Sequence, residues 1–198
     1  MKPVGYSSFI EDYQVDGETD HSVKSFQRSL TEPDTGVTTV DISNSQDNSI
    51  IAWFNSNTKT IYWYSNVPKV YTTDAFEMFA GLEGLESLDL SGINFYYTES
   101  MNSMFSSCYQ LTSLDLSGID TLNVTDIEGM FRNCENLETI YVGSGWDMSK
   151  VEMGENVFDY DQKLVGGAGT AYNGSHVDKT YAHIDGGTSN PGYFTAKN

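Results

Sequence analysis

Positive charge is what this chain has least of. Lysine and arginine number 10 against 28 aspartates and glutamates, a formal charge of −18 over 198 residues. Nucleic acid needs a cationic face to meet its phosphates, so this balance argues against a nucleic-acid partner. It argues equally against an anionic membrane surface. No apolar run approaches the length of a transmembrane helix, so direct membrane insertion is not expected. Met1-Lys2-Pro3-Val4 lacks the apolar core of an export signal. That leaves a cytosolic chain or a mature fragment. The acidity, the few lysines and the Gly/Ser/Thr/Asn/Tyr richness favour the fragment, and hence an extracellular or cell-surface location. Charged residues are only 19% of the chain and aromatics reach 13%, so it is not a disordered acidic tail.

Histidine and cysteine are scarce too. His176 and His183 have Asp178 and Asp185 nearby, but nothing converges on them or on His21. Gly166, Gly167 and Gly169 lack the Lys-Ser/Thr and the strand–loop–helix frame of a phosphate loop. No catalytic, cofactor-binding or metal-ligating residue is therefore expected, and the chain is read as a non-enzyme. Asp120 and Asp147 suggest a weak Ca²⁺ site only in composition, because no loop of alternating aspartates surrounds them.

What is present is repetition. Met78-Phe79 returns after 26 residues as Met104-Phe105, again as Met130-Phe131, and one residue late as Val157-Phe158. Leu85-Glu-Ser-Leu88-Asp-Leu90 travels with it as Leu111-Thr-Ser-Leu114-Asp-Leu116 and Leu137-Glu-Thr-Ile140-Tyr-Val142. A fixed period of this size marks stacked units that bury their apolar faces against each other, which makes a surface and favours binding over catalysis. Ala75, Met78, Phe79 and Leu82 follow helical spacing, as do Met101, Met104, Phe105, Cys108 and Ile127, Met130, Phe131, Cys134. The spacing predicts three short helices whose stripe is core, opened by caps at Asp74, Ser100 and Asp126, with Thr125 and Glu128 as a capping box. The Leu-x-x-Leu-x-Leu segment predicts a strand with Leu114 and Leu116 inward and Ser113, Asp115 and Ser117 outward. Cys108 and Cys134 occupy one repeat position, filled by Leu82 in the preceding unit. They are read as buried, reduced thiols, because stacked helices would hold them about 10 Å apart.

The expected fold class is thus an α/β solenoid, a short leucine-rich-repeat stack with parallel strands on the concave side and short helices on the convex side. Four regions follow: a flexible acidic arm over 1–20, a β-hairpin N-terminal cap over 21–72, repeats over 73–160 and a Gly-rich C-terminal cap over 161–198. The hairpin rests on Ile50–Phe54 and Thr60–Tyr64 flanking the turn-rich Asn55–Lys59.

Met-Phe-x-x-Cys-x-x-Leu-x-x-Leu-Asp-Leu-Ser followed by Ile119-Asp-Thr-Leu-Asn-Val-Thr-Asp126 resembles the BspA-like leucine-rich repeat surface proteins. The resemblance covers about residues 21–195. It implies a cell-surface or secreted protein of host-associated bacteria, and an adhesive role toward host matrix proteins or other bacteria. Ile93-Asn-Phe-Tyr-Tyr-Thr-Glu-Ser100 departs from the family's return loop.

The outward row Ser87, Asp89, Ser113, Asp115, Thr139 and Tyr141 is the candidate ligand-binding surface. Small hydroxyls, acids and one tyrosine suit polar contact with a protein or a glycan. Asp89 and Asp115 are expected about 5 Å apart on neighbouring strands, and three strands span only ~15 Å. Tyr96 and Tyr97 are a second candidate contact, since tyrosine is good anchor material. The expected function is a non-catalytic, monomeric, extracellular binding module for a host or bacterial surface protein, with a ligand-free structural spacer as the alternative.

Overall fold

The computed structural model describes residues 22–43 and 45–197. The arm assigned to residues 1–20, and with it His21, lies outside them. Among the described residues, ten short strands form three separate sheets: β1 (Ser25–Arg28), β2 (Val40–Asp41), β3 (Ile51–Asn55), β4 (Thr60–Tyr64), β5 (Val70–Tyr71), β6 (Ser87–Leu88), β7 (Ile93–Asn94), β8 (Ser113–Leu116), β9 (Thr139–Val142) and β10 (Phe194–Ala196). The sheet orders are β2-β3-β4-β1-β6, β10-β9-β8 and β5-β7, with parallel and antiparallel pairs mixed in the first.

β3 and β4 pair antiparallel from Ile51↔Tyr64 to Asn55↔Thr60. Alternation drives this hairpin: Ala52, Phe54, Ile61 and Trp63 are buried, while Ile51, Trp53, Asn55, Tyr62 and Tyr64 stand half-buried on the other face. Asn55 closes the turn by accepting hydrogen bonds from the Asn57 and Thr58 amides at 3.0 and 3.2 Å. β1 then inserts between the hairpin and the repeats, pairing parallel with β4 on one side and β6 on the other.

The expected helices do not form. Among the described residues there is no α-helix; helical backbone is confined to 3-10 turns, at Ser22, Lys179–Tyr181 and Gly187–Ser189. The apolar stripe is held instead by a series of tight turns. Amides alternate between two jobs. Met78 and Ala80 donate three residues back, to Ala75 and Glu77, whereas Glu77, Phe79 and Gly81 donate to Asn102, Met104 and Ser106 of the next repeat. The same alternation recurs one repeat later, where Ser103, Phe105 and Ser107 donate to Glu128, Met130 and Arg132. A helix would spend every amide on its own chain. Here half of them stitch one repeat to the next. The chain achieves this by placing every fourth residue in the left-handed region: Glu77 and Gly81, Ser103 and Ser107, Gly129 and Asn133, with φ between 50° and 76°. Four residues per step satisfies the i, i+3, i+4, i+7 pattern as well as a helix does.

Asp74, Ser100 and Asp126 open the turn series rather than helices, accepting the Phe76, Asn102 and Glu128 amides. The close approach of the repeats stacks their phenylalanines. Phe79–Phe105, Phe105–Phe131 and Phe131–Phe158 lie 5.6, 5.9 and 5.7 Å apart between centroids and within 12° of parallel. Phe26 from β1 closes one end of the ladder edge-on at 4.9 Å, and Tyr193 closes the other at 5.1 Å. Cys108 and Cys134 are free and buried beside it, each thiol donating to a carbonyl of the preceding repeat, Phe79 or Phe105, at 3.2 Å.

The strand side does not form one concave parallel ladder either. β8 and β9 pair in register, Ser113↔Thr139 to Leu116↔Val142, and β10 adds to β9 from the C-terminal end. β6, the equivalent strand of the first repeat, belongs to the other sheet and is not paired with β8. The α/β leucine-rich-repeat solenoid with convex helices is therefore replaced by a β-rich fold of mixed sheets joined through turns. Among the described residues, no helix is long and apolar enough to cross a membrane.

Candidate functional site

The parting of β6 from β8 leaves a cleft of about 400 Å³ lined by Leu88, Asp89, Leu90, Ser91, Asp115 and Ser117, with Gly92 and Gly118 at the bends that follow. A second hollow of about 320 Å³ continues it along the return loops, between Asn94, Tyr96 and Tyr97 of the first repeat and Asp120 of the second. The two share Lys69, Ile93 and Gly118. The repeats rejoin beyond it, where the Asn123 amide group donates to the Tyr96 carbonyl at 2.7 Å and the Thr125 amide to the Glu99 carbonyl at 2.9 Å. On the turn side they are joined throughout. Along the groove, repeat one and repeat two are not laced as strands.

Gly92 sits in the left-handed region at φ 85°, and a Cβ there would run into the Arg28 guanidinium. Arg28 is itself fixed, donating to the Val67 carbonyl at 2.7 Å and lying 5.0 Å from the Trp63 ring centroid.

Asp89 and Asp115 both line the cleft, though not as neighbours on one sheet. Each also has a local task. Asp89 Oδ1 accepts the Ser91 amide at 2.8 Å, and Asp115 Oδ1 accepts the Ser117 amide at 3.0 Å and its hydroxyl at 2.6 Å. These bonds turn the chain at the strand end. Asp120 and Asp147 do the same for the Leu122 and Ser149 amides, which accounts for their recurrence without a cation. Asp115 has a further partner: Lys197 Nζ lies 2.5 Å from its Oδ2 and 5.3 Å over the Tyr141 ring. Burial raises the Asp115 carboxyl, but the Lys197 ammonium and the Ser117 donors outweigh it and hold it below the usual carboxylate range.

The structure divides the remaining sequence candidates. Ser113 and Thr139 face outward on β8 and β9, where Asp115 stands opposite Tyr141. Ser87 is exposed on β6, in the other sheet. Tyr96 and Tyr97 are exposed by 39% and 54% at the far end of the groove. They meet edge-on at 5.0 Å, and Tyr71 of β5, exposed by 56%, joins Tyr97 at 5.5 Å. Sequence reasoning missed Tyr71 and Lys197. Tyr71 had only a weak signal, an aromatic beside the β-branched Val70. Lys197 had none, since it arrives from 82 residues away. His176 stacks on Tyr181 at 4.6 Å and His183 Nδ1 contacts the Ile184 carbonyl at 2.8 Å, so each serves its own loop.

The model of a family described as "Mycoplasma protein of unknown function, DUF285" matches residues 42–172. No curated protein and no solved structure matches the chain.

Proposed function

The chain belongs to the DUF285 family, and we propose that it is a non-catalytic binding module that holds a protein segment in the groove between its first and second repeats. The observation that carries this reading is the parting of β6 from β8, a polar cleft that runs into three exposed tyrosines. Tyrosine brings large contact area with little entropy to lose, and the flanking carboxylates and serines supply polar rim contacts. The site's aspartates are engaged in turning the backbone, which suits recognition better than proton transfer. The BspA-like resemblance of the Met-Phe and Leu-Asp-Leu-Ser segments supports a surface or secreted setting and a host or bacterial surface protein as partner, with a glycan as the second ligand class.

A spacer without a ligand is the competing reading, favoured by the Lys197–Asp115 pair, which satisfies part of the same face internally. Binding of the full chain to host matrix proteins, bacterial surface proteins and glycans separates the two. The diagnostic variants are Asp89→Asn with Asp115→Asn, which keep the turn-forming oxygen, and Tyr71→Ser with Tyr97→Ser. Saturable binding weakened by both pairs supports the groove. Binding untouched by either pair rejects it, and a blank across the panel supports the spacer.

A further inference from the structure

The outer face of the β3–β4 hairpin carries aromatic residues that packing does not use. Trp53 and Tyr62 are cross-strand partners, their rings 5.7 Å apart between centroids and 25° from parallel. Both are half-buried, whereas the opposite face buries Phe54 and Trp63 in the core. The loop after β1 passes in front of this pair and leaves a pocket of about 480 Å³, lined by Trp53 and Tyr62, by Asn55 and Asn57 of the hairpin turn, and by Glu32 and Asp34 of the loop. No basic residue lines it. Among the described residues neither Glu32 nor Asp34 takes part in an ion pair. Arg28 of β1 lies against Trp63, on the other face of the hairpin.

A large aromatic face beside carboxylates that no described residue pairs with, on a chain of charge −18, selects for positive charge. Tryptophan is the strongest cation–π partner, and a carboxylate beside it adds charge-assisted hydrogen bonds. The two rings stack on one another rather than enclosing a box, and a flat aromatic face matches a planar cation better than a tetrahedral ammonium. We propose that this pocket receives the guanidinium of an arginine side chain from a partner protein, stacked against the Trp53–Tyr62 pair and hydrogen-bonded by Glu32 and Asp34. The site is separate from the groove between the repeats and stands or falls without it.

The test titrates the full chain with hepta-arginine, hepta-lysine and a neutral oligosaccharide, following the indole N–H resonance of Trp53. Trp63, fully buried, serves as the internal reference for folding. Hepta-arginine is expected to shift the Trp53 signal saturably and to bind about 5–30-fold more tightly than hepta-lysine. Trp53→Thr, which keeps a strand-forming residue and is followed by calorimetry because it removes the reporter, and Glu32→Gln with Asp34→Asn, both on an exposed loop, should each lose that preference. Asp89→Asn with Asp115→Asn should keep it. Equal affinity for the two peptides, or affinity unchanged in the loop double variant, would mean diffuse attraction to an acidic surface and overturn the proposal. A Trp53 shift produced by the oligosaccharide alone would overturn it in favour of a sugar.

Discussion

The rings of Phe105 and Phe131 lie 5.9 Å apart and within 2° of parallel. A pair of packed helices holds equivalent side chains about 10 Å apart, so this one distance distinguishes a ladder of turns from a stack of helices. Phe105 also touches Phe79 on its other side. Its removal opens a void between two units at once. Phe105→Ala is expected to cost about 3–5 kcal/mol, measured by urea unfolding, with the amides of both neighbouring turn series losing exchange protection together. A loss below about 1 kcal/mol would contradict the ladder.

Gly129 gives a test whose sign differs between the two architectures. Inside a helix, Gly→Ala gains about 1 kcal/mol. Gly129 instead holds φ at 59°, where a side chain costs roughly 1–2 kcal/mol. Space is not the obstacle, since an added Cβ would meet only Ser103 Oγ at 3.3 Å and Arg132 Cβ at 3.9 Å. Gly129→Ala should therefore destabilise, and a stabilised variant would mean that the helical reading was right.

The sequence made some of this legible and hid the rest for identifiable reasons. Alternation placed Leu114 and Leu116 inside and Ser113 and Asp115 outside β8, because period two has one structural meaning. The Met-Phe stripe marked the core, and Met78, Phe79, Met104 and Phe105 are fully buried. The same stripe misled on element type. A four-residue turn step and a 3.6-residue helix agree over two cycles, and the left-handed Glu77 and Ser103 carry no sequence sign of it. Only Gly81, Gly129 and Asn133 hinted at it. In the candidate site, periodicity implied that β6 and β8 would pair as equivalent strands. β1 takes β6 instead, a non-local choice that no repeat pattern encodes.

Asp161 and Asp185 are expected to drive stability in opposite directions with pH. Asp161 is fully buried, with Oδ1 accepting the Cys134 amide at 2.8 Å and Oδ2 without a hydrogen-bond partner. Burial pushes its carboxyl well above the usual range. The folded chain therefore holds this proton more tightly than the unfolded chain, whose carboxyl ionises near pH 4, so the group lowers stability as pH rises above about that value. Asp161→Asn removes this penalty. The variant should be more stable than the parent at neutral pH, with the difference fading toward about pH 4, followed by urea midpoints across pH. A gain that persists undiminished at low pH would mean that ionisation is not the cause.

Asp185 has the reverse balance. Burial raises its carboxyl, but donors from Thr170, Gly187 and Ala168 outweigh burial and hold it well below the usual range. Those amides lie 2.8–2.9 Å from its oxygens, and the Thr170 hydroxyl is at 2.7 Å. A depressed folded value gives stability that is complete above the unfolded value near pH 4 and lost as pH falls below it. Asp185→Asn should cost about 1–3 kcal/mol at neutral pH and flatten the acid limb of the unfolding curve. An unchanged acid limb would show that the loop order comes from elsewhere.

Lys197 decides how open the acidic face is. It neutralises Asp115 and covers Tyr141, yet both partners in the ion pair are about half exposed, 48% and 47%. Exposed pairs contribute at most about 1 kcal/mol and are screened by salt. Lys197→Ala is therefore expected to leave the urea midpoint nearly unchanged. Its effect should fall on recognition: with the lysine gone, Asp115 joins Asp89 as an unneutralised carboxylate on the groove, and a cationic segment should associate faster at low salt. Stopped-flow association at two ionic strengths reads this directly. A faster on-rate that vanishes with salt assigns Lys197 the part of an internal competitor for the ligand's charge. An unchanged on-rate together with a large drop in stability would make it a structural clasp between the C-terminal strand and β8.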